Sequence, residues 1–128
     1  MKATLKQAWP YQQDALNLPV ENLETALPFY ETVLGFQRTY QTDAPPKRAV
    51  IARDGIELGL AENGGDPTQD GCFFEVDDVE TAFSELKTNG LSNENPDFSF
   101  QRQGDTLWKM FFVVAPDGLC FCYGQRQS

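Results

Sequence analysis

Two segments of this chain, 56 residues apart, carry nearly the same eight residues. Val20-Glu-Asn-Leu-Glu-Thr-Ala-Leu27 matches Val76-Asp-Asp-Val-Glu-Thr-Ala-Phe83, with four positions identical and four conservatively replaced. Each copy is followed by a glycine, Gly35 or Gly90, where a helix is expected to end. Because the spacing exceeds that of the common solenoid repeats, the duplication predicts two half-domains rather than an array.

The first half has the pattern of a strand, a helix and three further strands. Alternating apolar residues predict a half-buried strand over 16–20, and Asn22 is expected to cap a helix that ends at Gly35. Pro28 should bend this helix, because it lies past the first turn and removes an intrahelical hydrogen bond. The remaining strands are predicted at 37–41, 48–52 and 56–61, the last two joined by a turn at Asp54-Gly55.

The second half repeats this order after a glycine-containing linker, residues 63–70. A strand is predicted at 71–76, and Asp78 is expected to cap a helix that Gly90 ends. The last three strands are predicted at 98–102, 107–114 and 119–123, with a turn at Pro116-Asp-Gly118. The 128 residues are therefore predicted to form one α+β domain, with halves at about 13–62 and 71–125.

Charge and residue content exclude several classes of function. Nineteen acidic against ten basic residues give a net charge of −9, so we expect no binding to nucleic-acid phosphates. This acidity serves solubility, or part of it lines a site for a cationic ligand. The chain has no histidine, so it cannot by itself build a triad hydrolase, a zinc hydrolase or a His-ligated iron dioxygenase. Three cysteines do not form a disulfide framework.

Membrane insertion and secretion are also not expected. The longest apolar run, Met110 to Ala115, is far shorter than a membrane span needs. Residues 1–14 lack the apolar stretch that is typical of a signal peptide. We therefore expect a cytoplasmic location.

The duplicated βαβββ plan resembles the vicinal oxygen chelate superfamily, which includes glyoxalase I, extradiol dioxygenases, fosfomycin-resistance enzymes and bleomycin-resistance proteins. The resemblance covers about residues 14–124. It depends on three motifs: V-x-N-L-x-x-A-L-x-F-Y-x-x-V-L-G-F at Val20–Phe36, F-x-V-D-D-V-x-x-A-F at Phe74–Phe83, and the Pro116-Asp-Gly118 turn. It implies a curved sheet around a ligand cup, and a homodimer. A fold of this kind hosts many functions, so the reaction does not follow from it.

The resemblance also implies four positions that hold a metal ion in the metalloenzymes of the superfamily. In this chain they are Ala15, Glu57, Gly71 and Cys122. Only Glu57 is a good ligand for a hard cation, so a three-ligand catalytic site is not expected. Cys122 with Glu57 could still hold a soft metal. The chain is thus expected to need no cofactor, as in the bleomycin-resistance proteins.

Strand alternation predicts which side chains line the cup. Small residues, Ala15, Gly59 and Gly71, should make it roomy, while aromatic rings and two carboxylates should favour a planar, cationic molecule. The same rings and carboxylates could instead belong to the core and to the solvent-exposed surface. The predicted ligand-binding residues are Asn17, Glu57, Phe73, Glu75, Trp108, Met110, Phe112, Cys120 and Cys122.

Three functions remain open at this stage. The first is binding and sequestration of a small molecule without metal. The second is a metal-independent lyase or isomerase of the glyoxalase-like type, with Glu57 and Glu75 as general acid and base. The third is an interaction module with no small ligand, which a cup filled by its own side chains would favour.

Overall fold

The computed structural model describes residues 3–10, 15–45, 47–66, 70–91, 98–116 and 118–127. These residues form nine strands and two α-helices. The strands are β1 (Leu5–Pro10), β2 (Leu18–Pro19), β3 (Gln37–Thr42), β4 (Arg48–Arg53), β5 (Ile56–Ala61), β6 (Asp70–Val76), β7 (Ser99–Gln103), β8 (Thr106–Val114) and β9 (Cys120–Arg126), and the helices are α1 (Leu23–Pro28) and α2 (Val79–Thr88).

The strands form two sheets, and β1, from the start of the chain, joins the sheet formed by the later strands. The first has the order β2-β5-β4-β3, and the second has the order β1-β6-β9-β8-β7. In each sheet the first strand of the half runs parallel to the last, β2 with β5 and β6 with β9. The larger of two clusters of buried apolar residues, the main core, draws on both helices and both sheets. The predicted α+β fold of two βαβββ modules is therefore confirmed, while the division at a linker over 63–70 stays a prediction.

The first helix begins and ends as its sequence predicts, and Pro28 changes its winding. Asn22 caps it, with the side-chain Oδ1 accepting a hydrogen bond from the Thr25 N–H at 3.1 Å. Directly after Pro28 the chain continues as a π-helical segment, Phe29–Val33. Gly35 then takes the left-handed conformation, with φ of 78°, that ends a helix.

The second helix has the same start and stop signals. The Asp78 carboxylate accepts hydrogen bonds from the N–H groups of Glu80 and Thr81, both at 3.1 Å. These hydrogen bonds, that from Thr81 above all, lower the pKa of Asp78 below its ordinary value. Gly90, with φ of 115°, follows the helix. Asp54 and Gly55 both have positive φ and form the predicted hairpin turn between β4 and β5.

At the start of the chain the structure differs from one expectation and contains one strand that was not expected. Residues 16–20 were expected to be a strand, but Ala15–Asn17 form a turn of 3₁₀ helix, and only Leu18–Pro19 pair with β5. The alternation of apolar residues there is too short to specify a strand by itself. Strand β1 was not predicted at all. It pairs antiparallel with β6, and a bulge between Leu5 and Gln7 interrupts the alternation that would have revealed it.

Arg53 of β4 contacts both the N-terminal segment and α2. Its guanidinium donates to the carbonyl oxygens of Leu34 and Ala3, at 2.6 and 2.8 Å, and to the Glu85 carboxylate of α2 at 2.8 Å. Burial by itself would lower the pKa of Arg53, but the hydrogen bond and the ion pair with Glu85 have the larger combined effect, so the pKa is raised. One buried ion pair thus ties β4, α2 and the N-terminal segment together.

Candidate functional site

One face of the five-stranded sheet carries a second apolar cluster, separate from the main core. Phe73, Trp108, Met110 and Cys122 are buried together on it. They come from the three central strands, β6, β8 and β9, at positions that alternate with core residues such as Phe74 and Phe111. We call this surface, with Trp9 and Phe112, the aromatic face.

Trp9 of β1 closes one side of the aromatic face. Its ring centroid lies 5.7 Å from that of Phe73 and 6.0 Å from that of Trp108, and the latter two are 5.1 Å apart. The rings meet edge-on or tilted, as aromatic groups prefer. Gly124 makes the close packing possible, because a Cβ there would approach the Phe73 ring to 2.5 Å. Trp9 keeps 39% of its surface exposed, so part of the cluster is accessible.

Phe112 extends the accessible apolar surface along β8. It stands opposite Cys122 in the register and on the same face as Trp108 and Met110, and it is 51% exposed. A large apolar side chain left half exposed beside a buried aromatic cluster is a feature of ligand-binding surfaces. Cys120, half-buried on the same face of β9, continues this surface at the end of the strand.

Glu75 lies on the same face as Phe73 but is not available as an isolated carboxylate. It is 5% exposed, and its Oε2 accepts a hydrogen bond of 3.0 Å from Nε of Arg126. The Arg126 guanidinium also lies over the Trp108 ring, with Cζ 5.1 Å from the centroid. A charge this deeply buried is tolerated because it is paired.

Asn17 and Glu57 lie at the other sheet. Glu57 is exposed on β5, and the half-buried Asn17 ends the turn that packs against that strand. The backbone oxygen of Asn17 accepts a hydrogen bond from the Asn63 side chain at 2.9 Å. Of the predicted ligand-binding residues, one face of the five-stranded sheet thus brings together seven: Phe73, Glu75, Trp108, Met110, Phe112, Cys120 and Cys122.

The expectation that glycines open space in the cup is wrong for Gly59 and Gly71. A Cβ on Gly59 would lie 1.9 Å from the backbone oxygen of Leu16, so the turn of Ala15–Asn17 already occupies that space. A Cβ on Gly71 would come within 2.7 Å of the ring of Phe121, a main-core residue. Both glycines therefore permit close packing within the chain. The side chain of Ala15 lies outside the described residues.

The residues at the four implied metal positions do not fit a catalytic metal centre. Ala15 and Gly71 offer no ligand atom. Of the four positions only Cys122 carries a thiol, and burial raises the pKa of that thiol to about 12. Within the described residues, no three His, Cys, Asp or Glu side chains are grouped closely enough to hold a metal ion.

Two residues of the site were missed by the sequence analysis. Trp9 belongs to the unpredicted strand β1. The last strand was predicted to end at residue 123, so Arg126 lay beyond it. Continuing the alternation from Cys122 through Gly124 would have placed Arg126 on the aromatic face.

The structure shows no helix in its described residues that is long and apolar enough to cross a membrane.

The family profile described as Glyoxalase/Bleomycin resistance protein/Dioxygenase superfamily matches residues 12–121, most of the chain. The chain belongs to this superfamily. A comparison with curated proteins finds no match.

Several solved structures share the fold at low sequence identity. A glyoxalase/bleomycin resistance protein/dioxygenase from Alicyclobacillus acidocaldarius aligns with a TM-score of 0.69 and 18% identity, over 93% of this chain and 94% of that one. TnmS3, an antibiotic-binding protein from Streptomyces sp. CB03234, aligns with a TM-score of 0.63 and 19% identity, over 91% and 97%. An integron cassette protein of Vibrio cholerae gives 0.64 and 20%, over 89% and 94%. At these identities the matches show the fold alone.

Proposed function

We propose that this superfamily member binds and sequesters a small, planar aromatic molecule on its aromatic face, without a metal ion. The observation that carries the proposal is the exposure of Trp9 and Phe112 beside the buried rings of Phe73 and Trp108. Flat ring systems pack well against such side chains. The shared fold with TnmS3, itself an antibiotic-binding protein, supports sequestration as the role.

The charge of the ligand depends on the carboxylates that remain available. A cationic ligand was expected because Glu57 and Glu75 were both predicted to line the cup. Arg126 compensates the charge of Glu75, so Glu57 alone is left to attract a cation. The proposal therefore rests on the planarity and aromaticity of the ligand, and cationic ligands are included in its test.

Catalysis by Glu57 and Glu75 is the less favoured alternative. A general acid or base must be able to exchange a proton with the substrate, whereas Glu75 is buried and bound to Arg126. The two residues also belong to different sheets.

An interaction module without a small ligand would be favoured if the chain filled its own cup. The chain does fill the space beside Gly59, but it leaves Phe112 half exposed, so this alternative is not favoured.

Intrinsic fluorescence tests the proposal without a label, because both tryptophans of the chain lie in the aromatic face. We expect proflavine, a planar aromatic cation, or the neutral N-phenyl-1-naphthylamine to quench this fluorescence saturably, with one site per chain. Binding should raise the melting temperature, since the ligand prefers the native state. EDTA should change neither the affinity nor the melting temperature.

The matched pair of variants Phe112→Ala and Phe100→Ala locates the binding surface. Phe100 is also exposed, at 62%, but it pairs with Lys109 on the opposite face of the sheet. We expect Phe112→Ala to weaken binding about tenfold, the cost of losing one aromatic contact, and Phe100→Ala to leave it unchanged. Equal effects of the two substitutions, or no saturable binding of any aromatic dye tested, would overturn the proposal. Turnover of a bound compound would favour the lyase or isomerase.

The assembly and the location of the protein remain part of the proposal. The resemblance to the superfamily implies a homodimer, and light scattering on the purified protein would measure its mass. A cytoplasmic location is proposed on the sequence pattern alone.

A further inference from the structure

Arg126 is held in one orientation at the border of the aromatic face. Nε donates to the buried Glu75 at 3.0 Å, and the guanidinium plane lies over Trp108 with Cζ 5.1 Å from the ring centroid. These two contacts restrain a side chain that would otherwise sample many rotamers. They leave it 51% exposed, so its outer end reaches solvent. A charged group that is fixed before binding loses less entropy when a ligand arrives.

The outer end of this guanidinium has its donors available. The ion pair with Glu75 uses Nε, and neither terminal nitrogen of Arg126 makes a hydrogen bond or ion pair to a described residue. These two nitrogens can donate side by side to two oxygens of one anionic group. Such pairing is stronger and more directional than a contact with lysine.

We propose that Arg126 determines ligand specificity by binding a carboxylate or sulfonate that projects from the aromatic rings of the ligand. This inference rests on the proposed function. The rings pack on Trp9 and Phe112, and the anionic group reaches the terminal nitrogens of Arg126. Glu75 is then a positioning residue, which orients Arg126 and does not touch the ligand. The ligand class becomes an aromatic acid rather than an aromatic cation.

The net charge of −9 does not oppose this assignment at contact range. At physiological ionic strength the repulsion between the whole chain and an anion is screened beyond about 8 Å. The ion pair with Glu75 uses Nε of Arg126, so the N–H donors of the two terminal nitrogens at the outer edge remain for the anion. The test is therefore made in about 0.15 M salt.

Two dyes that differ by a single group provide the experiment. 1-Anilinonaphthalene-8-sulfonate carries an anionic sulfonate, and N-phenyl-1-naphthylamine is the same ring system without it. We expect the folded protein to bind the sulfonate at least about tenfold more tightly, with one site per chain, as a charge-assisted bidentate contact would require. Proflavine serves as the cationic probe in the same titration.

Variants then assign the preference to Arg126. Arg126→Gln should reduce the ratio of the two affinities to about one, and Arg126→Lys should restore part of it. Arg102→Gln, which removes an equal charge from exposed Arg102 on β7, should leave the ratio unchanged. If Arg126→Gln fails to fold because Glu75 is left unpaired, the double variant Glu75→Gln with Arg126→Gln replaces it.

Each outcome separates this inference from the proposed function. A ratio near one in the unaltered protein, a ratio unaffected by Arg126→Gln, or tighter binding of proflavine than of the sulfonate would overturn the role of Arg126 while binding itself stands. Failure of all three dyes to bind saturably would instead overturn the proposed function and, with it, the inference.

Discussion

At the scale of single residues, two glycines inside strands, Gly59 and Gly124, are explained by the space that their neighbours occupy. Gly59 lies in the middle of β5, where glycine weakens a strand and is unexpected from local preference. Its role becomes clear only from the turn of Ala15–Asn17, whose Leu16 backbone oxygen would lie 1.9 Å from a Cβ. Gly124 similarly receives the edge of the Phe73 ring. Such positions reflect tertiary contacts rather than turns.

Replacing Gly59 by alanine should therefore destabilise the protein strongly. The new methyl group would meet backbone rather than a movable side chain, so we expect a loss of about 3 kcal/mol in the free energy of unfolding. Gly55→Ala is the matched control. Its Cβ meets nothing within 4 Å, and only the left-handed φ of 84° costs energy, about 1 kcal/mol. Urea denaturation measures both, and equal losses would contradict the explanation.

At the scale of elements, the two helices show how much a few local signals specify. Asn22 and Asp78 cap them, and Gly35 and Gly90 follow them with positive φ. The π-helical segment after Pro28 was expected only as a bend. Pro28 has no backbone N–H to donate, and after it the chain continues with π-helical bonding, as in the hydrogen bond from the Leu34 N–H to the Phe29 carbonyl at 3.2 Å.

The cap of α2 gives a prediction about pH. Because the pKa of Asp78 is lowered in the folded chain, its ionised form contributes stability above its ordinary value of 3.8, and this contribution is lost as the pH falls through the lowered value. Asp78→Ala should cost about 1 kcal/mol at pH 7 and progressively less below pH 3.8.

Asp78→Asn provides the control for this effect, because the amide oxygen can still accept hydrogen bonds from the helix but does not titrate. Thermal or urea denaturation between pH 7 and pH 3 measures all three proteins. A difference between Asp78→Ala and the unaltered protein that is independent of pH would contradict a role for the ionised cap.

At the scale of the whole molecule, the halves are joined by buried polar contacts as well as by the shared core. Glu85 is buried on α2, and its Oε1 accepts from Arg53 at 2.8 Å and from the Ala3 N–H at 3.1 Å. Gly35 permits this arrangement, since a Cβ there would lie 3.0 Å from the Arg53 guanidinium. The first sheet, the second helix and the N-terminal segment therefore depend on one carboxylate.

Glu85→Ala should lower the free energy of unfolding by about 3 kcal/mol, because it removes the buried carboxylate at 2.8 Å and leaves the Arg53 guanidinium only its longer ion pair with Asp54, at 3.5 Å. Glu80→Ala is the control on the same helix. Glu80 is exposed and pairs with Lys109 at 3.4 Å, so its loss should cost no more than about 1 kcal/mol. Denaturant unfolding distinguishes the two; similar small losses would show that the Arg53 contact is not a structural tie.

The sequence by itself determined the duplication, the helix caps, the Asp54-Gly55 turn and most strand positions. These features depend on residues close together in the chain, through side-chain periodicity, capping and the tolerance of glycine for positive φ. Alternation also predicted seven residues that share a face of the five-stranded sheet. The family resemblance agrees with the superfamily profile that matches residues 12–121.

Only the tertiary structure decided how these elements fill space and which charges pair. Strand β1 acquires its position by pairing with β6, more than sixty residues away, and it brings Trp9 to the aromatic face. The Glu75–Arg126 ion pair joins residues 51 apart in the sequence. Arg126 neutralises the charge of Glu75, one of the two carboxylates that the sequence predicted to make the cup acidic. Strand pairing, close packing and desolvation act between residues that are distant in sequence, so local sequence patterns do not predict them.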